Sequence, residues 1–154
     1  AQAQLRSGRP FDEAARRFSE ALEHFAEEGR EIEAGEMLNN IGIIRRKQSR
    51  WDEALDAIQE AHRIFERLED KSRQAQALGN MASCYASQGK KEEAIDAWRQ
   101  AATIFAELGD KQRQVETLMA GLYAYQGGLE MLENPSMMQK LSRTMLAFQA
   151  RVLG

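Results

Sequence analysis

The chain has 154 residues, of which 43% are hydrophobic and 29% charged, and its net charge is −3. A general nucleic-acid binder usually has a basic face, and a protein that binds an anionic membrane surface usually has a run of Lys and Arg. The chain shows neither feature, so we expect neither partner. No apolar run approaches the roughly 18 residues of a membrane span, and residues 1–9 lack the apolar segment of a signal peptide. Cys84 is the only cysteine, so no internal disulfide forms, and we predict a cytoplasmic protein.

Apolar residues recur at helical spacing along the chain, and their pattern repeats every 40 residues without an insertion. In chain order we predict helices over roughly 10–28, 32–48, 50–68, 73–88, 90–108 and 113–126. Each unit pairs a first helix (32–48, 73–88, 113–126) with a second helix (10–28, 50–68, 90–108). The superimposed positions include Glu13-Ala14, Glu53-Ala54 and Glu93-Ala94, then Phe25, Phe65 and Phe105. A fixed period of about 20 to 50 residues is typical of stacked-repeat proteins, which build surfaces rather than catalytic pockets.

The residues at the predicted helix ends agree with these boundaries. Pro10 suits a first helical turn, and Ser49 with Asp52 fits a capping box. Gly29 and Gly109 suit helix C-termini, and Asp70 and Asp110 are predicted to cap the helices that follow. Six carboxylates fall in the predicted first turns of second helices, where negative charge is stabilising, so we do not interpret them as acid/base pairs: Asp12, Glu13, Asp52, Glu53, Glu92 and Glu93.

Both ends of the repeat are irregular. Residues 1–8 resemble only the tail of a first helix, so the helix from Pro10 lacks most of its partner; either the chain is a fragment of a longer array or another chain covers that face. Gly127-Gly128 interrupts the period, and the segment 136–152 is predicted to be a helix that caps the last repeat through one apolar stripe: Met138, Leu141, Met145, Phe148 and Val152. The predicted division is a solenoid over 1–127, with a partial unit 1–29, units 30–69 and 70–109 and a first helix 110–127, followed by a linker and cap over 128–154.

The repeated positions resemble the tetratricopeptide repeat. Its form of about 34 residues carries Leu-Gly, Tyr, Ala and Phe at fixed spacing, and the chain has Leu78, Met81-Ala82, Tyr85, Ala94 and Trp98. The 40-residue length and the ending Phe105–Lys111 resemble the long-helix subclass found in kinesin light chains, spindle-orientation adaptors and bacterial signalling proteins. The resemblance covers about residues 5–127 and implies an all-α, right-handed solenoid of antiparallel helix pairs. Arg45, in place of an aromatic residue, and the inverted order of Gly121-Leu122 depart from the pattern.

The resemblance also implies that the first helices line a concave surface that binds a protein or peptide. The groove-facing positions would then be Glu36, Asn39, Asn40, Ile43, Arg46, Lys47, Gln76, Gly79, Asn80, Ser83, Ser87, Glu116, Met119, Ala120, Tyr123 and Gln126. In the subclass, asparagines of Leu-Asn-Asn and Leu-Gly-Asn motifs hold the main chain of the ligand, and here Asn40 and Asn80 lie one period apart in such motifs. The alternative is an asparagine that bonds a neighbouring helix end.

Two other groove features have two interpretations. Arg46 and Lys47 either attract an acidic partner segment or are ordinary solvated charges. The small residues Gly79, Ser83, Ala86 and Ser87 either leave room for a bulky side chain or a helix, or allow close packing between adjacent helices.

No motif for catalysis, a cofactor or a metal is present. His24 and His62 lack spaced ligand partners, and Cys84 occupies a core position. We therefore predict a non-catalytic protein-protein interaction module, a scaffold or adaptor that binds a peptide or partner helix. The alternative is an assembly or sensor arm of a larger regulatory protein, or a scaffold that forms a homo-oligomer through its terminal helices. An enzyme would need converging titratable groups, which the sequence does not show.

Overall fold

The computed structural model describes the backbone of residues 2–126 and the side chains of residues 10–124. This part of the chain consists of six helices and no strand, so the predicted all-α class is confirmed. The helices are α1 (Gln2–Glu27), α2 (Glu31–Lys47), α3 (Trp51–Arg67), α4 (Lys71–Ser87), α5 (Lys91–Glu107) and α6 (Lys111–Gln126). The predicted boundaries of α2 to α6 agree with these to within two residues. The predicted capping helix lies outside the described residues.

The expectation that a helix begins at Pro10 is wrong. α1 runs for 26 residues from Gln2 to Glu27, with Pro10 inside it. A proline in a helix interior costs roughly 3 kcal/mol, which is why the local rule favoured a start there. α1 packs on α2, and Gln48, just past the end of α2, donates to Asp12. Asp12 and Glu13 lie within α1 rather than in its first turn, and Glu13 accepts a hydrogen bond from Arg17 at 2.6 Å.

Every helix junction has the same turn. One residue in each turn has a left-handed backbone, with φ between 57° and 74°, and these residues are 20 positions apart: Gly29, Ser49, Glu69, Gly89 and Gly109. The amide of the next residue donates to the carbonyl five positions back, as from Arg50 to Arg45 at 2.9 Å and from Asp70 to Phe65 at 2.9 Å. This bond closes a Schellman motif, which satisfies carbonyls at the helix end.

Of the predicted helix caps, one is wrong and two are confirmed. The capping box at Ser49 is wrong, because Ser49 occupies the left-handed turn position and the N-cap residue of α3 is Arg50, which makes no side-chain cap bond. Asp70 and Asp110 cap as predicted, since their carboxylates accept from the amides of Arg73 and Arg113, each at 3.1 Å. Asp residues therefore cap the first helices α4 and α6, whereas α2, α3 and α5 begin without a side-chain cap.

The core runs along the solenoid between consecutive helices. One cluster joins α2, α3 and α4 and includes Leu38, Ile58, Phe65 and Cys84, and a second joins α4 and α5 through Leu78 and Phe105. A third lies between α4 and α5 around Trp98. Contacts are most extensive within the pairs α2–α3 and α4–α5, and α2 also contacts α4. This arrangement is that of a tetratricopeptide-like solenoid, in which each unit packs on its neighbours.

Cys84 is a core residue, as its repeat position predicted. Its side chain is fully buried, and burial raises the pKa of the thiol to about 11. The thiolate is the nucleophilic form of cysteine, so this burial suppresses the reactivity of Cys84 at neutral pH.

Candidate functional site

A groove of about 530 Å³ lies along the first helices α2, α4 and α6, and we call it the first-helix groove. Direct bonds hold these helices side by side. The guanidinium of Arg73 on α4 donates to Glu36 on α2, with its Nε 2.7 Å from Oε1. One unit further on, Arg113 on α6 donates to the Ser72 hydroxyl of α4 at 3.0 Å. The spacing of the first helices is thus supported at the end where each of them begins.

Nine of the residues predicted to face a groove line this one: Asn39, Asn40, Ile43, Gln76, Gly79, Asn80, Ser83, Glu116 and Ala120. Six others are not part of its lining: Glu36, Arg46, Lys47, Ser87, Met119 and Tyr123. The side chain of Gln126 lies outside the described residues.

Several of the residues outside the lining have other surroundings. The Glu36 carboxylate is held by Arg73, and the Ser87 hydroxyl donates to the Ser83 carbonyl at 2.9 Å, within α4. The Nε of Arg46 is buried without a hydrogen-bond partner among the described residues, and Lys47 is exposed. Tyr123 is 61% exposed near the end of the described chain. The positive charge proposed for an acidic partner is therefore located beside the groove lining and not within it.

The asparagines meet across the α2–α4 boundary. The Asn80 amide donates from Nδ2 to Oδ1 of Asn39 at 3.0 Å, and both side chains are half-buried. Asn80 thus bonds a neighbouring helix, as in the alternative interpretation, although its partner is a side chain rather than a helix end. One N–H and the oxygen of its amide remain available. Asn40 lines the groove beside this pair and makes no side-chain hydrogen bond within the described residues.

Gly79 faces open space. A Cβ built on Gly79 would meet nothing within 4 Å, so close helix packing does not explain this glycine. By contrast, a Cβ at Gly35 would lie 2.7 Å from the Phe65 ring. Of the two interpretations of the small residues, the structure therefore favours room in the groove at position 79.

The groove lining carries two charged residues, and both have partners. The guanidinium of Arg113 lies 3.6 Å from Asp110 and 5.9 Å from the centre of the Phe105 ring. The carboxylate of Glu116 accepts from Gln112 at 3.0 Å. Since these charges are opposite in sign, the described lining has no net charge. Such a lining can hydrogen-bond a neutral ligand, but it offers no concentrated field to attract a charged one.

The comparison with known families agrees with this geometry. Residues 33–107 match the family model described as tetratricopeptide repeat. Residues 33–107 are tetratricopeptide repeats. The predicted resemblance to the tetratricopeptide repeat is thereby confirmed, whereas the long-helix subclass stays a prediction, and the repeats form a protein-protein interaction module. No curated protein gives a significant match to the chain.

The floor of the groove in these tetratricopeptide repeats was not predicted from the sequence. Trp98 and Phe105 of α5 line it together with Ala75, Arg113 and Thr117. Both aromatic residues belong to the apolar stripe of a second helix, and such a stripe predicts a buried core position rather than a groove position. Each remains slightly exposed, at 6% and 4%, and Trp98 also borders the cleft between α5 and α6. The repeat gives no signal for Arg113, because Arg73, one period earlier, is not part of the lining.

The described residues contain no group of three or more His, Cys, Asp or Glu side chains placed to hold a metal ion. Likewise, no helix in the described part is long and apolar enough to cross a membrane. His62 lies on α3 and is not part of the groove lining. The polar groups that converge in the described groove are consequently amides and hydroxyls, which suit hydrogen bonding.

Proposed function

We propose that the chain is a non-catalytic scaffold or adaptor that binds an extended peptide in the first-helix groove. The observation that carries this proposal is the amide of Asn40, which lines the groove without a hydrogen-bond partner among the described residues, next to the Asn39–Asn80 pair. This amide is not among the buried polar groups without a partner, so water can reach it and a ligand can replace that water. A peptide main chain supplies both a donor and an acceptor for such a group.

The helix spacing fits an extended ligand. Asn40 and Asn80 occupy the same position of adjacent first helices, and packed helices lie about 8 to 10 Å apart. An extended chain advances about 3.3 Å per residue, so the two amides would contact main-chain groups about three residues apart. Asn80 would use the N–H and oxygen that its bond to Asn39 leaves available.

A selected peptide gives a direct test. Random peptides of about 12 residues, which span about 40 Å when extended, would be displayed and selected on the purified chain. We expect the Asn40→Ala, Asn80→Ala double variant to bind the selected peptides about 10- to 100-fold more weakly, because two amide hydrogen bonds contribute about 1 to 3 kcal/mol together. Fluorescence anisotropy measures the affinity, and circular dichroism confirms the fold.

Gln100→Ala provides the matched control. Gln100 is an exposed amide on α5 that bonds Asp96 at 2.7 Å, and it is not part of the groove lining. This variant should bind as the unaltered chain does. Equal affinity of the double variant, with an intact fold, would show that the asparagines do not hold the peptide.

A specific observation also supports self-association as the alternative. Leu118 on α6 is 49% exposed, whereas Leu78, one period earlier, is 5% exposed because α5 covers it. Leu118 borders an apolar cleft of about 410 Å³ between α5 and α6, with Ile95 and Leu122. A second copy of the chain would bury this cleft. Sedimentation over a concentration series should then show a dimer that Leu118→Ser weakens, and a monomer at every concentration would argue against it.

A further inference from the structure

We propose that the first-helix groove contains a specificity subsite, in which one large apolar side chain of the bound peptide occupies the open space facing Gly79 above Trp98 and Phe105. The proposal rests on the proposed peptide-binding function and adds the class of ligand, an extended segment with one apolar anchor and no net charge.

Gly79 supplies the first argument. A glycine in the interior of a helix costs roughly 1 kcal/mol relative to alanine. At Gly35 and Gly42 this cost has a packing reason, since a Cβ would lie 2.7 Å from the Phe65 ring and 2.8 Å from Cδ1 of Ile58. At Gly79 no atom lies within 4 Å of the built Cβ, although the residue lines the groove. The absent side chain therefore leaves room inside the groove rather than space for a neighbouring helix.

The floor of this space supplies the second argument. Trp98 and Phe105 reach the groove from α5, and Ala75 of α4 lies beside Phe105 in the same core cluster. The guanidinium of Arg113 stands 5.9 Å from the centre of the Phe105 ring and forms part of the wall. An aliphatic or aromatic side chain lowered past Gly79 would contact this apolar floor. A charged side chain would lose water against these two rings, which carry no charge to compensate it.

The charges of the lining supply the third argument. Arg113 forms an ion pair with Asp110, Glu116 accepts a hydrogen bond from the neutral amide of Gln112, and the two lining charges are opposite in sign. Arg46 and Lys47 are not part of the lining. A ligand without net charge complements this lining best, because the positive Arg113 and the negative Glu116 cancel.

The test uses peptides selected from the same random library on the unaltered chain. We expect them to share one large apolar residue and to carry little net charge. Their affinity should change by no more than about twofold between about 0.05 and 0.5 M salt, because no ion pair is formed. Replacing the shared apolar residue by alanine should weaken binding at least about tenfold, which corresponds to losing most of a buried side chain.

Gly79→Leu then locates the subsite. The new side chain occupies the open space, so we expect it to weaken binding of the selected peptides at least about tenfold without lowering the melting temperature, since leucine favours helices. It should also abolish the difference between each peptide and its alanine-substituted form. Ser87→Leu is the matched control, because Ser87 is exposed on the same helix outside the groove lining.

The outcomes separate this inference from the proposed function. If the asparagine double variant loses binding while Gly79→Leu retains it, the groove binds peptides but the subsite is wrong. Selection of uniformly charged peptides with strongly salt-dependent affinity would also overturn the subsite. If the library yields no binder, the proposed function and the subsite both fail.

Discussion

The two full units, residues 30–69 and 70–109, use glycine for different purposes. The first unit places glycine at helix contacts, at Gly35 and Gly42, and has Ser49 and Glu69 in its left-handed turns. The second unit has glycine in both turns, at Gly89 and Gly109, and alanine at the two corresponding helix contacts, Ala75 and Ala82. Close helix approach and left-handed turns are therefore separable demands. Each unit satisfies one of them with glycine and meets the other with a bulkier residue.

The largest expected effect comes from adding a methyl group to a packing glycine. Gly42→Ala would place a Cβ 2.8 Å from Cδ1 of Ile58 and 3.0 Å from the carbonyl oxygen of Ala54, which is part of the backbone and cannot rotate away. Overpacking of this kind should lower the free energy of unfolding by about 1 to 3 kcal/mol. Urea unfolding measures the change.

Gly79→Ala is the control with the opposite sign. No atom lies within 4 Å of its built Cβ, so only helix propensity acts, and the free energy of unfolding should rise by up to about 1 kcal/mol. If both substitutions stabilised the fold, α2 and α3 could separate freely, and the proposed difference between the two units would not hold.

A smaller effect is expected at the turns of the first unit. Glu69 has φ of 57°, and the left-handed conformation costs a residue with a side chain roughly 1 to 2 kcal/mol. Glu69→Gly should raise the free energy of unfolding by about 1 kcal/mol. The gain is smaller than the full conformational cost, because glycine has more freedom in the unfolded chain. Ser49→Gly should act in the same direction. Thermal unfolding measures both, and Glu66→Gly inside α3 should be destabilising instead.

His62 and Ala102 occupy the same repeat position, but only His62 can make the stability of its unit depend on pH. Burial is the main cause that lowers the pKa of His62, and Arg63 lowers it further while Glu66 raises it. The unfolded state therefore takes up a proton more readily, and stability should fall as the pH falls below about 6.5. His62→Ala should remove this part of the pH dependence, measured by urea unfolding at neutral and mildly acidic pH. His24→Ala, which keeps His62, should retain it.

The smallest difference concerns a hydrogen bond that both units make. Gln48 donates to Asp12 at 3.0 Å and Gln88 donates to Asp52 at 3.2 Å. Gln48 also accepts from Arg45 at 2.9 Å, whereas Tyr85 occupies the place of Arg45 in the second unit. Since these bonds are largely exposed, Gln88→Ala should change stability by less than about 0.5 kcal/mol, and Gln48→Ala slightly more. A loss of more than about 1 kcal/mol of stability in Gln88→Ala would show that this bond contributes more to the packing of adjacent units than we expect.

The sequence predicted the features that depend on local pattern. The apolar stripes and the glycines at turns located α2 to α6, and the repeat position of Cys84 identified a buried thiol. The two errors arose where a local motif competed with its surroundings. Pro10 suited a helix start, but α1 continues through it. Ser49 matched a capping box, but the turn common to the described units holds it in the left-handed region.

The groove was less predictable because it depends on how helices sit side by side. The repeat placed Asn40 and Asn80 in equivalent positions, but the bond between Asn80 and Asn39 depends on the spacing of α2 and α4. The aromatic floor combines Trp98 and Phe105 of α5 with lining residues of α2, α4 and α6. No single-helix pattern carries that information.

The turns described above make the length of the array easy to change. Because the left-handed residues recur every 20 positions, removing residues 50–89 would connect Ser49 to Lys90 and join α2 to α5 through a turn of unchanged geometry. Gene duplication or deletion in steps of 40 residues can thus lengthen or shorten the protein without inventing a new junction. Each step would add or remove one first helix, and with it one segment of the peptide that we propose the groove binds.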